Sequence, residues 1–244
     1  MEINIIVVDC KNCGNKFSGK FCNHCGQSAD THRIGLKFIL TELKKTFIQF
    51  NSGFFYTVKQ MFVNPGNFIK KYLEGKRVSY AKPFSYLIIT CGLNVLLYHY
   101  MHVNIVLEEI EGLNKDATND FIMEHYMQIQ LAILPVYAFV SILFFKQKVY
   151  NFFEFIIIHT YLAGQRILIN LLIILLEGYF NDPSQMKVIM NVSMLVTYGI
   201  MIWTYINLFS EQPKIKVALK TVAIEVVTFL IILLLAASFV LGIR

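Results

Sequence analysis

The sequence is poor in charge and lacks the motifs by which many enzyme families are recognised. Charged residues occupy 16% of its 244 positions, against the ~25% of ordinary soluble domains, while 56% are hydrophobic. It contains no P-loop, dinucleotide-binding fingerprint, HExxH motif or nucleophile elbow, and no internal repeat or low-complexity tract. These absences rank an intramembrane enzyme last among the function classes. Long apolar runs after residue 83 predict an integral membrane protein instead.

The few charges are distributed unevenly. Residues 1–83 carry thirteen Lys and Arg against five Asp and Glu, a balance that alone would be compatible with nucleic-acid binding. Residues 103–126 reverse the sign, because six acidic residues there face a single lysine, Lys115. Such alternation is typical of membrane topology, in which short cytoplasmic segments accumulate Lys and Arg. We therefore expect the basic region to contact anionic lipid head groups rather than nucleic acid.

Five apolar segments have about the ~20-residue length that a helix needs to cross a bilayer. They lie near residues 84–103, 127–145, 152–176, 186–209 and 218–241. The connecting segments alternate between acidic and basic, and all of them obey the positive-inside rule when the N-terminal region is cytoplasmic. The prediction is a multi-pass protein of the cytoplasmic (inner) membrane, with its N-terminus in the cytoplasm and its C-terminus outside.

The chain divides into three predicted regions. These are a cysteine module (residues 1–30), an amphipathic region (31–83) and a transmembrane helix bundle (84–244). The predicted fold class is an all-α integral membrane protein with about five transmembrane helices, preceded by a small N-terminal zinc ribbon and interfacial amphipathic helices.

Two short segments of the amphipathic region, 53–62 and 65–73, place aromatic and apolar residues at helical spacing beside lysines. Asn64 can cap the second segment and Pro65 suits its first turn. Each segment is too short to cross a bilayer. We expect them either to lie in the membrane interface or to pack on the transmembrane bundle.

Four cysteines near the N-terminus form two CxxC pairs, Cys10 with Cys13 and Cys22 with Cys25. Four thiolates are the ligand set of a closed tetrahedral zinc site. Iron is the main competing metal, a redox role of the CxxC pairs is a weaker alternative, and His24 is a possible substitute ligand. Disulfides do not fit a reducing cytoplasm. A closed four-sulfur site leaves no position for water, so the predicted zinc is structural rather than catalytic.

Glycine follows each cysteine pair, at Gly14 and Gly26, and permits a tight turn that aims backbone amides at the sulfurs. Ser18 and Gly19 lie between the pairs and predict a hairpin turn that joins two short strands.

These motifs carry a family resemblance. The pattern runs from CxNC…F.GKFCxxCGQ through Thr57 and Asn64-Pro65-Gly66 to GKRxxYxxP at residues 75–83, where an apolar segment begins. It resembles an uncharacterised bacterial membrane family with an N-terminal zinc ribbon, the domain of unknown function DUF3667. The resemblance covers mainly residues 10–95. It implies this architecture and no activity.

The end of the amphipathic region offers a candidate lipid site. Lys76, Arg77 and Tyr80 lie where the first span begins. They are either an interfacial anchor, the favoured interpretation, or a site for a lipid head group or phosphate.

Ionisable residues inside the spans form a second candidate site. Arg166 lies near the middle of the third span, His159 precedes it, and Glu225 lies in the fifth span. Arg166 is roughly 20 Å and Glu225 about 10 Å from the cytoplasmic ends of their predicted spans. We expect a buried contact between Arg166 and Glu225, made directly or through His159, either as a structural staple or as part of a transport relay.

Two functions from different classes follow. The first is a non-enzymatic adaptor or sensor whose cytoplasmic zinc ribbon engages a protein partner. The second is a transporter of small molecules or lipids, or a lipid-handling protein, with a polar centre around Arg166 and Glu225; it requires a cavity that reaches Arg166.

Overall fold

A computed structural model describes residues 7–44, 52–101, 115–146, 149–177 and 183–242. Two strands and nine helices lie in this part of the chain. They are β1 (Val7–Asp9), β2 (Lys16–Ser18), α1 (Leu36–Lys44), α2 (Ser52–Val63), α3 (Pro65–Leu73), α4 (Pro83–Met101), α5 (Lys115–Glu124), α6 (Tyr126–Phe145), α7 (Phe152–Glu177), α8 (Pro183–Leu208) and α9 (Lys214–Gly242).

Five of these helices, α4 and α6 to α9, are long and apolar enough to cross a membrane. Their apolar stretches of 19 to 25 residues correspond to about 28 to 38 Å of helix, which matches a ~30 Å hydrocarbon core. The predicted fold class, an all-α protein with about five spans, is confirmed, and the helices are compatible with a multi-pass membrane protein. Helix α9 begins at Lys214, four residues before the predicted span.

Helix α7 lies at the centre of the bundle and contacts α4, α6 and α8. About 67% of its apolar stretch is buried, against 17% for α8 and 22% for α9, so these two helices lie at the periphery. Gly164 lets α4 approach α7 closely, because a Cβ there would lie 2.6 Å from Cδ1 of Tyr86. The bundle therefore has a close-packed centre and one loosely covered side.

The two amphipathic segments form helices α2 and α3, separated by Asn64 alone. Pro65 is the first residue of α3, as predicted, but the side chain of Asn64 makes no capping hydrogen bond, so that part of the prediction is wrong. Phe68 and Ile69 of α3 are buried, and α3 packs on α8 and α7. Helix α2 keeps exposed aromatic residues, among them Phe55 at 68%.

Candidate metal centre and intramembrane cavity

The cysteine module is built from two backbone turns of the same kind. In the first, the N–H of Gly14 donates to the carbonyl of Cys10 at 2.8 Å, and the N–H of Cys10 donates to the carbonyl of Asn15 at 2.9 Å. In the second, Gly26 and Cys22 donate in the same pattern, both at 2.8 Å. Both glycines have φ of +76°, a conformation that L side chains rarely adopt. The tight turns predicted at these glycines are confirmed.

The two turns bring the four predicted ligands together. All four sulfurs lie within 4.8 Å of one another. The Sγ atoms of Cys10 and Cys25 are 3.5 Å apart, and those of Cys13 and Cys22 are 3.7 Å apart. Four sulfurs bound to zinc at ~2.3 Å in a tetrahedron lie roughly 3.8 Å apart, close to the spacing of these two pairs, so the donor set suits a four-coordinate metal. His24 is exposed and is not one of the clustered ligands.

The close approach of the four sulfurs shifts the pKa values of Cys13 and Cys22 in opposite directions. Burial raises the pKa of Cys22. The backbone N–H groups of Cys25 and His24 and the neighbouring sulfurs lower it by more, so that the pKa of Cys22 falls to about 6. At Cys13 the N–H of Asn15 lowers the pKa, while burial and the three other sulfurs raise it to about 12. Thiols this close compete for negative charge, and a divalent cation relieves that competition by holding them as thiolates.

The strand arrangement of the module differs from the predicted hairpin. Strand β2 pairs with β1, antiparallel, so that Val8 lies opposite Phe17 and the first cysteine turn connects the strands. After Gly19 the chain makes a single bridge, between Phe21 and Ser28. The prediction that Ser18 and Gly19 join two strands is therefore wrong. The turn signal of the first CxxC pair, with its glycine, was the stronger one.

Polar contacts fasten the module to the amphipathic region. The Nζ atom of Lys11 donates to the carbonyl of Thr31 at 2.7 Å, and Gln27 donates to the carbonyl of Gly75 at 3.2 Å. Gly75 has φ of +109°, and a Cβ there would lie 3.0 Å from Cδ of Lys11. The glycine of the GKR motif thus makes room for the module just after α3.

A second fastening joins the segment before α1 to the start of α7. Arg33 donates to both carboxylate oxygens of Glu154 at 2.8 Å. Glu154 is almost fully buried and also closes a capping box, because it accepts from the N–H of Asn151 at 2.7 Å while Asn151 accepts from the N–H of Glu154 at 2.9 Å. The hydrogen bonds to Glu154 raise the pKa of the Arg33 guanidinium. The N-x-x-E pattern of residues 151–154 could have revealed this cap in the sequence.

The predicted head-group residues point to different neighbours. Arg77 donates to the carbonyl of His32 at 3.1 Å, and its guanidinium lies 4.6 Å from the centre of the Phe38 ring. Tyr80 is buried against Phe68, with ring centres 4.5 Å apart, and burial raises the pKa of Tyr80 to about 12. Lys76 is half-buried. Arg77 and Tyr80 therefore serve packing in this structure.

Inside the bundle, the hydroxyl of Tyr137 links the two predicted charges. It donates to Oε2 of Glu225 at 3.0 Å, and Nη1 of Arg166 donates to it at 3.5 Å. The bridging group is Tyr137 rather than His159, whose ring stacks on that of Tyr137 with centres 4.8 Å apart. Because α9 begins earlier than predicted, Glu225 lies about 16 Å along its helix and Arg166 about 21 Å along α7, so their positions along the two helices differ less than predicted.

His159 belongs to a neighbouring hydrogen-bonded triangle. Its Nε2 atom lies 2.8 Å from Oγ of Ser141 and 2.9 Å from the hydroxyl of Tyr205, and these two oxygens are 3.0 Å apart. Ser141, His159 and Tyr205 come from α6, α7 and α8 and are all buried. With the link from Tyr137 to Glu225, polar contacts join four of the five spans.

Four of these polar residues, Tyr137, His159, Arg166 and Glu225, line a cavity of about 360 Å³. Its polar lining comprises Tyr126, Gln130, Tyr137, His159, Gln165, Arg166, Asn170, Ser193, Thr197, Tyr198 and Glu225. A second cavity of about 390 Å³ lies between α8 and α9 and is almost wholly apolar. The two share five lining residues, namely Met194, Tyr198, Met201, Glu225 and Phe229. A polar chamber therefore adjoins an apolar groove, which we call the α8–α9 groove.

Replacing Tyr137 by phenylalanine is expected to destabilise the bundle by about 1.5–3 kcal/mol, the contribution of a hydrogen bond to a charged group. The substitution leaves Glu225 Oε2 without the donor that it has in this structure. Thermal melting in detergent measures the effect. Tyr126→Phe is the matched control, because Tyr126 lines the same cavity and its hydroxyl has no hydrogen bond among the described residues. Equal melting of both variants would contradict the role of Tyr137.

Comparison with known families agrees with the sequence motifs. Residues 51–94 match the family model DUF3667, described as a protein of unknown function. The predicted family resemblance is thus confirmed over this stretch, which spans α2, α3 and part of α4. Searches of curated proteins and of solved structures find no match.

The matched segment contains several buried contacts. Thr57 accepts a hydrogen bond from the N–H of Ala81 at 2.9 Å, and Tyr161 of α7 donates to the carbonyl of Ala81 at 2.7 Å. Gly66 touches α8, where a Cβ would lie 2.7 Å from the carbonyl oxygen of Thr204. The motif residues of this segment therefore pack α2 and α3 onto the bundle.

Proposed function

We propose, from the match to a family without an assigned activity and from the cavities in the bundle, that this chain is a membrane protein that binds an amphiphilic molecule between its helices. The observation that carries the proposal is that the polar chamber at Arg166 and Glu225 lies directly beside the apolar α8–α9 groove and shares lining residues with it. Their volumes lie in the 300–1,000 Å³ range typical of ligand sites. An amphiphile has a polar head group, which fits the polar chamber, and an apolar tail, which fits the α8–α9 groove.

The position of the groove favours entry from the lipid. Helices α8 and α9 are the least buried spans, and groove residues such as Val222, Val226 and Phe229 are 47–64% exposed. The polar chamber lies about 20 Å along α7, well inside a ~30 Å hydrocarbon core. A head group bound at Arg166 is thus drawn away from the membrane surface, which favours lipid handling over simple surface binding.

The geometry supports binding more than acyl-transfer chemistry. Ser141 and His159 form a nucleophile–base pair by distance. However, Ser141 is fully buried and is absent from the described walls of the cavity, so a bound molecule there has no path to its hydroxyl. The triangle of Ser141, His159 and Tyr205 is better suited to holding three helices together.

Blocking the α8–α9 groove tests the proposal. Val226→Trp fills the groove and is expected to reduce the lipid retained by detergent-purified protein several-fold, as measured by native mass spectrometry. Leu219→Trp adds the same ring two helical turns away on the same face of α9, outside the described groove, and should retain lipid like the unaltered protein. Equal retention by both variants would refute the binding site.

For the cysteine module, the proposed metal is zinc in a structural role, and the proposed location is the cytoplasm. Four clustered thiols without an imidazole or carboxylate suit zinc, and thiols persist on the reducing side of a membrane. With five spans, the C-terminus then lies outside. The basic residues at this end, including Lys70, Lys71 and Lys82, would face anionic lipid head groups.

A second candidate function is an adaptor that engages a protein through the module. Phe21 supports it, because its ring is 65% exposed directly beside the ligand Cys22. Exposed aromatic residues are enriched at protein interfaces. A partner held in this way would be lost when the module unfolds, whereas an amphiphile bound between the helices would remain.

A further inference from the structure

The polar chamber contains one cation and one anion. Apart from the imidazole of His159, Arg166 and Glu225 are the charged side chains in its described lining. Tyr137 lies between them and hydrogen-bonds to both. The chamber therefore presents opposite charges on two sides while remaining neutral as a whole.

Both charged groups keep unused hydrogen-bonding capacity. Arg166 has five N–H groups, and within the described residues it donates one long bond, at 3.5 Å, to Tyr137. Oε1 of Glu225 is buried and has no hydrogen-bond partner in the described part of the chain. Buried polar groups normally have hydrogen-bond partners. The N–H groups of Arg166 and the Oε1 of Glu225 that are unpaired among the residues described therefore indicate a ligand that carries both an acceptor and a donor.

The net charge narrows the class of ligand. A head group with a single negative charge would satisfy Arg166 but leave the chamber with excess negative charge in a medium of low dielectric constant. A head group with only a positive charge would pair with Glu225 but leave the chamber with excess positive charge. A head group with both charges pairs with each residue and keeps the total at zero.

We propose that the ligand is a zwitterionic aminophospholipid, whose phosphate binds Arg166 and whose primary ammonium donates to Oε1 of Glu225. This inference rests on the proposed function and specifies the ligand of the same site. Guanidinium and phosphate form strong charge-assisted hydrogen bonds. The acyl chains occupy the apolar α8–α9 groove, which distinguishes a lipid from a free zwitterion such as phosphoethanolamine.

The primary ammonium is essential to this assignment. It carries three N–H donors for Oε1 of Glu225, whereas the trimethylammonium of a choline lipid has none. Three tyrosines of the chamber, Tyr126, Tyr137 and Tyr198, could hold a quaternary ammonium by cation–π contacts. The unpartnered carboxylate oxygen favours the hydrogen-bonding head.

The test compares lipids with identical acyl chains on the purified full-length protein. Retention of phosphatidylethanolamine, phosphatidylcholine and phosphatidylglycerol is measured by native mass spectrometry and by the rise in melting temperature. Phosphatidylethanolamine is expected to bind roughly tenfold more tightly than the other two, the factor contributed by one charged hydrogen bond. Soluble phosphoethanolamine at millimolar concentration should not displace it.

Glu225→Gln gives a sharper expectation. It leaves the chamber with a net positive charge, so the order should invert in favour of phosphatidylglycerol. Glu211→Gln is the matched control, because it removes an exposed carboxylate in the loop between α8 and α9, and it should keep the original order. If Glu225→Gln does not fold, the ranking of lipids by the unaltered protein decides the question alone.

The possible results separate the two proposals. Equal or tighter binding of phosphatidylglycerol or phosphatidylcholine by the unaltered protein would overturn the aminophospholipid, as would displacement by soluble phosphoethanolamine. If Val226→Trp still lowers retention in that case, amphiphile binding stands and only the head group is wrong. If Val226→Trp has no effect on any lipid, the proposed function itself fails.

Discussion

Replacing both Cys22 and Cys25 by serine is expected to remove the metal and unfold the N-terminal module, while the five long helices remain folded. Among residues 7–30, the part of the module that the structure describes, only Cys10, Phe17 and Cys22 are buried apolar residues, so this part has almost no core of its own. Structural zinc sites contribute about 10–16 kcal/mol of apparent binding free energy, far more than this core can replace.

Elemental analysis should find about one zinc ion per unaltered chain and almost none in the double variant. Limited proteolysis should then cleave the module, while circular dichroism shows the helical content retained. Cys91→Ser is the control, because Cys91 is buried in α4, apart from the four clustered sulfurs, and its loss should leave the metal in place. Iron in the unaltered chain would show that the proposed metal is wrong, and a protease-resistant module without metal would show that the metal is not structural.

Gly66→Ala is the second substitution with a large expected effect, a loss of about 1–3 kcal/mol or more in the free energy of unfolding. The new Cβ would lie 2.7 Å from the carbonyl oxygen of Thr204 and against Cβ of Asn207. Backbone atoms of α8 cannot move aside as a flexible side chain can, so α3 must separate from α8. Thermal melting in detergent measures the loss.

Gly199→Ala supplies the matched control on α8. A Cβ at Gly199 meets no atom within 4 Å, and alanine is favoured over glycine inside a helix by roughly 0.5–1 kcal/mol. The two glycine-to-alanine changes should therefore shift the melting temperature in opposite directions. A stable Gly66→Ala variant would mean that the close approach of α3 to α8 is not needed for folding.

The sequence predicts the features that depend on local chemistry. Length and apolarity alone locate the five spans, and the spacing of Cys10, Cys13, Cys22 and Cys25 identifies the sulfur cluster. The predicted position of the hairpin turn is wrong. Both the first CxxC turn and Ser18-Gly19 could join two strands, and the sequence spacing does not show which of the two turns does so.

Contacts between distant helices are not predictable in the same way. A tyrosine in an apolar helix is ordinary packing, so nothing marks Tyr137 as the group between Arg166 and Glu225 until α6, α7 and α9 are assembled. Arg33 and Glu154 are 121 positions apart in the sequence, and their pairing depends on where the segment before α1 lies against the start of α7. The distance of Glu225 from the start of its helix is longer than predicted, because α9 begins at Lys214, before the predicted apolar run.

Helix α7 acts as a rod that spans two otherwise separate parts of the molecule. Glu154 forms the ion pair with Arg33, and Arg166 lines the chamber. The two residues are twelve positions apart on α7, about 18 Å along the helix. An α-helix is compressed little along its axis, so a displacement of α7 at one end also displaces its other end. Linkage is reciprocal. If a ligand in the chamber displaces α7, it changes the strength of the ion pair between Glu154 and Arg33, and loss of that ion pair then changes the affinity of the chamber for the ligand.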